Sequence, residues 1–177
     1  INAGITKINA IEPASTYLEI KAQATETKNF RKGDKRAFIK EQSDLTTLFS
    51  QINSKLRGMK QPLYVAPEGL DPKSLEALVM QIGEAEKALR SKLNAAMRQC
   101  LINLRKAFAD PANNFDAEVM KYREIASDES SEAPLEEQVA TLKKSLEEMK
   151  GSLEGQLPGI EEAEKACEEA NIEDNEY

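Results

Sequence analysis

Apolar residues recur along this chain at intervals of three and four, the repeat of helices that bury one face. Leu45, Leu48, Phe49, Ile52 and Leu56 form one such stripe, ending near Gly58. Tyr17, Leu18, Ile20 and Phe30 extend an apolar pattern towards the amino terminus, but the run RKGDKR, Arg31 to Arg36, interrupts it. One helical region over about residues 15–58, kinked or briefly broken at that run, is the expectation. Ser15 or Thr16 after Pro13 offers an N-cap oxygen, and Glu19 is spaced to reach back to it. A second stripe, Leu75, Leu78, Ile82, Ala85, Leu89, Leu93, Met97, Cys100, Leu104 and Phe108, opens at DPKSLEAL. There Asp71 can cap and Pro72 fits the first helical position, where no N–H is needed. A helix of ~37 residues rises ~55 Å at 1.5 Å per residue, longer than an ordinary globular domain uses.

Pro111 either kinks this helix or begins another; Phe115, Val119, Tyr122 and Ile125 follow at helical spacing, which predicts helix continuing past the proline, bent but not opened. SDESSEAP, Ser127 to Pro134, has the composition of a loop. A third stripe runs Leu135, Val139, Leu142, Leu146, Met149, Leu153, Leu157, Ile160, Glu164 and Cys167, and LPG at Leu157 to Gly159 predicts a bend in it. Ile1, Ile5, Ile8 and Ile11 keep helical spacing with no cap before them, like the end of a helix already under way. Leu45, Phe49, Ile52, Leu78, Ile82 and Leu89 are expected to face one another in the core of the first half. The stripe from Leu135 to Leu153 needs a cover that no later helix in this sequence supplies.

Composition supports helices throughout. Of 177 residues 31% are charged and only 5% aromatic, with 8 Gly and 7 Pro, so an all-α protein with a long, thin core is expected. The net charge of −7 opposes binding to phosphate backbones, and no basic run interleaved with aromatics offsets it. Nucleic acid is not an expected partner. No window holds the eighteen or so apolar residues of a membrane helix, and the first residues lack a signal-peptide pattern. Membrane insertion is therefore not expected, and the reading is cytoplasmic. Cys100 and Cys167 suit buried, reduced thiols rather than a disulfide framework or a zinc set.

Catalysis lacks its parts. There is no His, no Gly-rich phosphate loop, and no Ser or Cys with an identifiable base. The acidic clusters DESSE and EEAEKACEE have neither the glycine nor the alternating oxygen donors of a calcium loop. No catalytic, cofactor-binding or metal-binding residue is assigned, and no enzyme is expected. One segment stands apart: KLRGMKQPLYVAPEGLDPKSL sets Leu63 to Ala66 between two prolines in a charged chain. It either docks a partner or folds back, with Leu63, Tyr64 and Val65 closing the end of the first bundle; the second is the favoured reading.

These residues carry a resemblance. KLRGMKQPLYVAPEGL resembles the loop between the second and third helices of the first repeat of the α-actinin rod, a family of spectrin-type repeats. NLRKAFADPANNF resembles the helix entering the last rod repeat, and the stretch from LEEQVATLKKSL to the end resembles that repeat's second helix. The resemblance implies tandem three-helix spectrin-like bundles joined by a long continuous helix in an elongated rod. Residues 1–106 would form the first repeat, starting within its first helix, and 107–177 the second, with its third helix absent. Leu93 to Ala112 would be the shared linker, and the rod would have two repeats instead of the four of vertebrate α-actinins. The sequence departs from the family in having no Trp, with Glu118 where the last repeat's first helix would carry it. The function implied is that of a cytoskeletal actin cross-linker's rod, a rigid spacer and antiparallel homodimerisation module. Actin-binding calponin-homology domains would lie before Ile1 and calcium-binding EF-hands after Tyr177. The alternative is a monomeric spectrin-repeat scaffold that binds cytoskeletal partner proteins.

Overall fold

The computed structural model describes residues 1–127 and 132–172. Five helices make up the described chain: α1 (Asn2–Asn9), α2 (Tyr17–Lys32), α3 (Asp34–Gly58), α4 (Pro72–Ser127) and α5 (Leu135–Glu169). The fold is all-α, with no strand among the described residues. Two compact units divide it, Ile1–Arg98 and Gln99–Tyr177, and α4 contributes to both.

Local chemistry sets the helix ends. The Thr16 hydroxyl accepts the Glu19 N–H at 3.4 Å and donates to the Glu19 carboxylate at 2.7 Å, a reciprocal cap that starts α2. At Gly33 the backbone leaves the helical region (φ −98°, ψ −94°), separating α2 from α3 with no intervening loop, which is the interruption the RKGDKR run predicts. α4 starts where Asp71 accepts the N–H groups of Lys73 and Ser74 at 3.0 and 3.1 Å. α3 and α5 end alike. Gln61 N–H donates to Leu56 O and Lys60 N–H to Arg57 O; Ile172 N–H donates to Cys167 O and Asn171 N–H to Glu168 O. Each turn needs a left-handed residue, Lys60 at φ 55° and Asn171 at φ 54°. Asn suits that conformation; Lys adopts it at a cost.

Ile8, Ile20, Ile82, Ala85, Leu89 and Leu93 are buried in the first unit. α1 closes on this core through Gly4, where a Cβ would stand 3.2 Å from Ile82 Cδ1. The segment between α1 and α2 is held by Gln23, whose amide accepts from Ala14 N–H and donates to Glu12 O, both at 3.0 Å. The buried Glu86 carboxylate meets Lys35 Nζ at 2.9 Å, and an exposed Lys92–Glu12 pair at 3.0 Å lies further along α4.

The expected core needs one correction. Ile82 and Leu89 are buried and Phe49 and Leu78 partly so, but Leu45 is 50% exposed and Ile52 36% exposed. Periodicity identifies the apolar face of α3 correctly; burial also requires a neighbour on each side. α1 meets Phe38 and Ile82 at Gly4, and the half of α3 beyond Phe38 instead faces an open cleft.

In the second unit Phe108, Ala112, Cys167, Ala170 and Ile172 are buried. The Cys167 thiol donates to Leu104 O at 3.4 Å, and Gln156 Nε2 donates to Glu118 Oε2 at 2.5 Å, so α5 runs antiparallel to its portion of α4. α4 continues through Pro111 as expected, and α5 continues unbroken through Pro158. Of the loop expected over Ser127 to Pro134, Ser127 is the last residue of α4 and 132–134 are non-helical, while 128–131 lie outside the described residues.

Candidate interaction surfaces

Nothing in the described residues groups three or more metal-binding side chains. Among the described residues two carboxylates depart from their ordinary acidity, both downwards. The Ser74 hydroxyl, then the Ser74 and Lys73 N–H groups, hold Asp71 below the usual carboxylate range. Ser152 and then Gln156, with Lys121 nearby, do the same for Glu118. Hydrogen bonds that favour the anion keep both ionised. Their partners are a helix cap and a neighbouring helix, so both groups serve packing. Cys100 is half-buried and Cys167 fully buried, both as reduced thiols. The EEAEKACEE cluster presents its glutamates to solvent on α5, and most of DESSE lies outside the described residues.

The Leu63 to Ala66 segment folds back in part. Tyr64 sets its ring edge-on to Phe49, centroids 5.9 Å apart at 61°. Asn53 holds it there, accepting Tyr64 N–H at 2.7 Å and donating to Tyr64 O at 3.4 Å. Val65 does not join, being 83% exposed, and Leu63 is half-exposed. Two prolines restrict the backbone between them, and alternation along an extended segment turns neighbouring side chains opposite ways. Tyr64 therefore turns inward and Val65 outward. The result is a cleft of about 360 Å³ walled by Leu45, Leu48, Ile52, Tyr64, Leu70 and Leu75.

The second apolar surface lies on α5. Leu135, Val139, Leu142 and Leu146 are all exposed, while Met149 and Leu153 further along are half-buried. Their spacing puts the four on one face, a strip ~17 Å long. No helix among the described residues is long and apolar enough to cross a membrane.

Sequence periodicity anticipates both surfaces as apolar stripes. It misses the Asn53 clamp and the Gly4 approach, because each depends on residues far apart in sequence meeting. An Asn on the helix face leading into a proline-bounded loop was the available signal for the first.

No protein-family model matches the chain. It is similar to Alpha-actinin-like protein 1 of Schizosaccharomyces pombe, 29% identical over 171 residues, an alignment that covers 96% of this chain and 27% of that protein. The chain thus spans about a quarter of the length of this curated relative.

Proposed function

We propose that this chain is a rod segment of an α-actinin-like actin cross-linking protein, built of spectrin-type repeats and acting as a rigid spacer and antiparallel dimerisation module in the cytoskeleton. One observation carries the reading: similarity to an α-actinin-like protein extends over 96% of the chain instead of being confined to one helix. The continuity of α4 suits a spacer, since a helix transmits bending and torsion where a loop would absorb them. The role is mechanical and not catalytic. Actin contact and any calcium response belong to domains outside these residues.

Sedimentation equilibrium at micromolar concentration tests it, on this chain and on a form extended past Tyr177. Dimers in both are expected. A monomeric extended form would replace this reading with the monomeric spectrin-repeat scaffold, the exposed strip of α5 then being covered within one chain.

A further inference from the structure

The net charge of −7 hides a local excess of the opposite sign. Residues 1–98 contain 16 Lys and Arg against 11 Asp and Glu, a balance of +5 within the first unit. Part of that excess is gathered at one place. Lys28 and Arg31 on α2 and Arg90 on α4 line a cleft of about 270 Å³ between those helices, and Asn94 adds an amide one turn beyond Arg90. The three cations are exposed, and none is ion-paired among the described residues. The carboxylate that lines the cleft, Glu86, is buried and meets Lys35 Nζ at 2.9 Å, so its charge is already balanced. What remains is a concavity with three uncompensated positive charges, which attracts anions.

The lining narrows the kind of anion. Two guanidinium groups match phosphate, whose oxygens accept paired N–H donors, better than they match a point-like anion. No aromatic ring lines the cleft, so a nucleobase would find nothing to stack on. A single turn of helix, ~10 Å across and ~5.4 Å long, occupies roughly 400 Å³, so an acidic protein helix is too bulky to enter. Ala24 and Leu93 are the apolar lining, and Leu93 is fully buried, which leaves no side chain at the mouth to enter a bilayer.

We infer that the α2–α4 cleft binds a small, water-soluble, multiply phosphorylated molecule, with Arg31 and Arg90 holding phosphate oxygens from opposite helices and Lys28 supplying the third positive charge. A ligand held this way bridges α2 and α4 and binds only the folded unit, so it stabilises that unit by mass action. The inference goes beyond the rod reading. It concerns the first unit alone and needs no dimer.

Isothermal titration calorimetry of the 177-residue chain at ~0.1 M salt tests it, with inositol hexakisphosphate as the soluble probe. Saturable binding is expected, together with a rise in melting temperature when the probe is present. The variant Lys28→Gln, Arg31→Gln, Arg90→Gln should bind about tenfold more weakly or worse, since it removes three charge-assisted contacts. The variant Lys40→Gln, Lys55→Gln, Arg57→Gln removes the same charge from exposed positions on α3, outside the cleft, and should lose no more than about twofold, the share due to long-range attraction. Glu86→Gln takes a negative charge out of the cleft and should tighten binding, a gain that a merely structural role would not give. All six basic positions are exposed, and unchanged helical circular dichroism checks that the variants fold. Equal losses in the two triple variants, or no saturable binding by the parent, overturn the inference. A chain that sediments with phosphatidylcholine vesicles carrying phosphatidylinositol 4,5-bisphosphate, and is not displaced by the soluble probe, overturns it in favour of a membrane surface. A chain that dimerises but binds no probe overturns this inference and leaves the rod reading standing.

Discussion

Truncating Ile82 to alanine probes whether the first unit is held together where the buried residues meet. Ile82 has no solvent exposure and its Cδ1 lies 3.2 Å from where a Cβ on Gly4 would stand. Isoleucine to alanine at such a site costs ~2–5 kcal/mol, the transfer of three carbons plus the cavity they leave. In a unit of roughly a hundred residues each kcal/mol lowers the melting temperature by about 4–8 °C, so a mid-range loss of ~3 kcal/mol predicts a fall of about 12–24 °C. Leu45 belongs to an equally regular stripe but is half-exposed. Leu45→Ala should cost only ~1 kcal/mol, the transfer of the part that is covered. A second substitution sharpens the test. Gly4→Ala replaces a helix-interior glycine, worth about 1 kcal/mol, but in the parent the new methyl presses on Ile82 Cδ1. With Ile82→Ala that atom is gone, and Gly4→Ala should stabilise the double variant more than it does the parent. Thermal melting followed by far-UV circular dichroism measures the parent and all four variants. Equal losses for Ile82→Ala and Leu45→Ala, or a Gly4→Ala effect identical in both backgrounds, would refute this account of the core.

Lys35→Met should cost ~3 kcal/mol, because it strands the buried Glu86 carboxylate, whereas Lys35→Met with Glu86→Leu should cost much less; urea unfolding compares them. Asp71→Ala should lower the melting temperature at neutral pH. Because the folded pKa of Asp71 lies below its ordinary 3.8, the stabilisation is complete above 3.8 and disappears as pH falls through the lower folded value, so the two melting curves should converge only in strong acid. Lys60→Gly should stabilise the first unit by ~0.5–1 kcal/mol in chemical denaturation, since Lys60 sits at φ 55° in the turn that ends α3.

The elements were legible because their signals are local. Thr16 with Glu19, and Asp71 before Pro72, mark helix starts whose hydrogen bonds close within one turn. RKGDKR marks a break because it lacks apolar residues and contains Gly33. Burial was less legible. Leu45 and Ile82 carry the same periodic signature, and only the arrival of α1 at Gly4 distinguishes them. Pro158 shows the opposite failure, a local rule overridden: its missing N–H and its ring disfavour a helix interior, yet α5 runs through. For the candidate surfaces, periodicity located the strip on α5. The Asn53–Tyr64 clamp joins residues eleven apart across a loop, and the charged cleft joins α2 to α4, both contacts that one-dimensional spacing does not encode.

The division between the two units falls inside α4, and the residues around it contain no stop. Ala95, Ala96, Met97, Arg98, Gln99 and Cys100 include neither an N-cap residue nor a glycine. Were one unit to unfold alone, α4 would have to expose four orphan N–H or C=O groups at a new end, with no side chain placed to satisfy them. Fraying would run on into the surviving unit towards Asn94 in one direction or Asn103 in the other. A boundary without punctuation works as a thermodynamic rivet: unfolding on either side leaves the surviving unit with a helix end that no side chain closes.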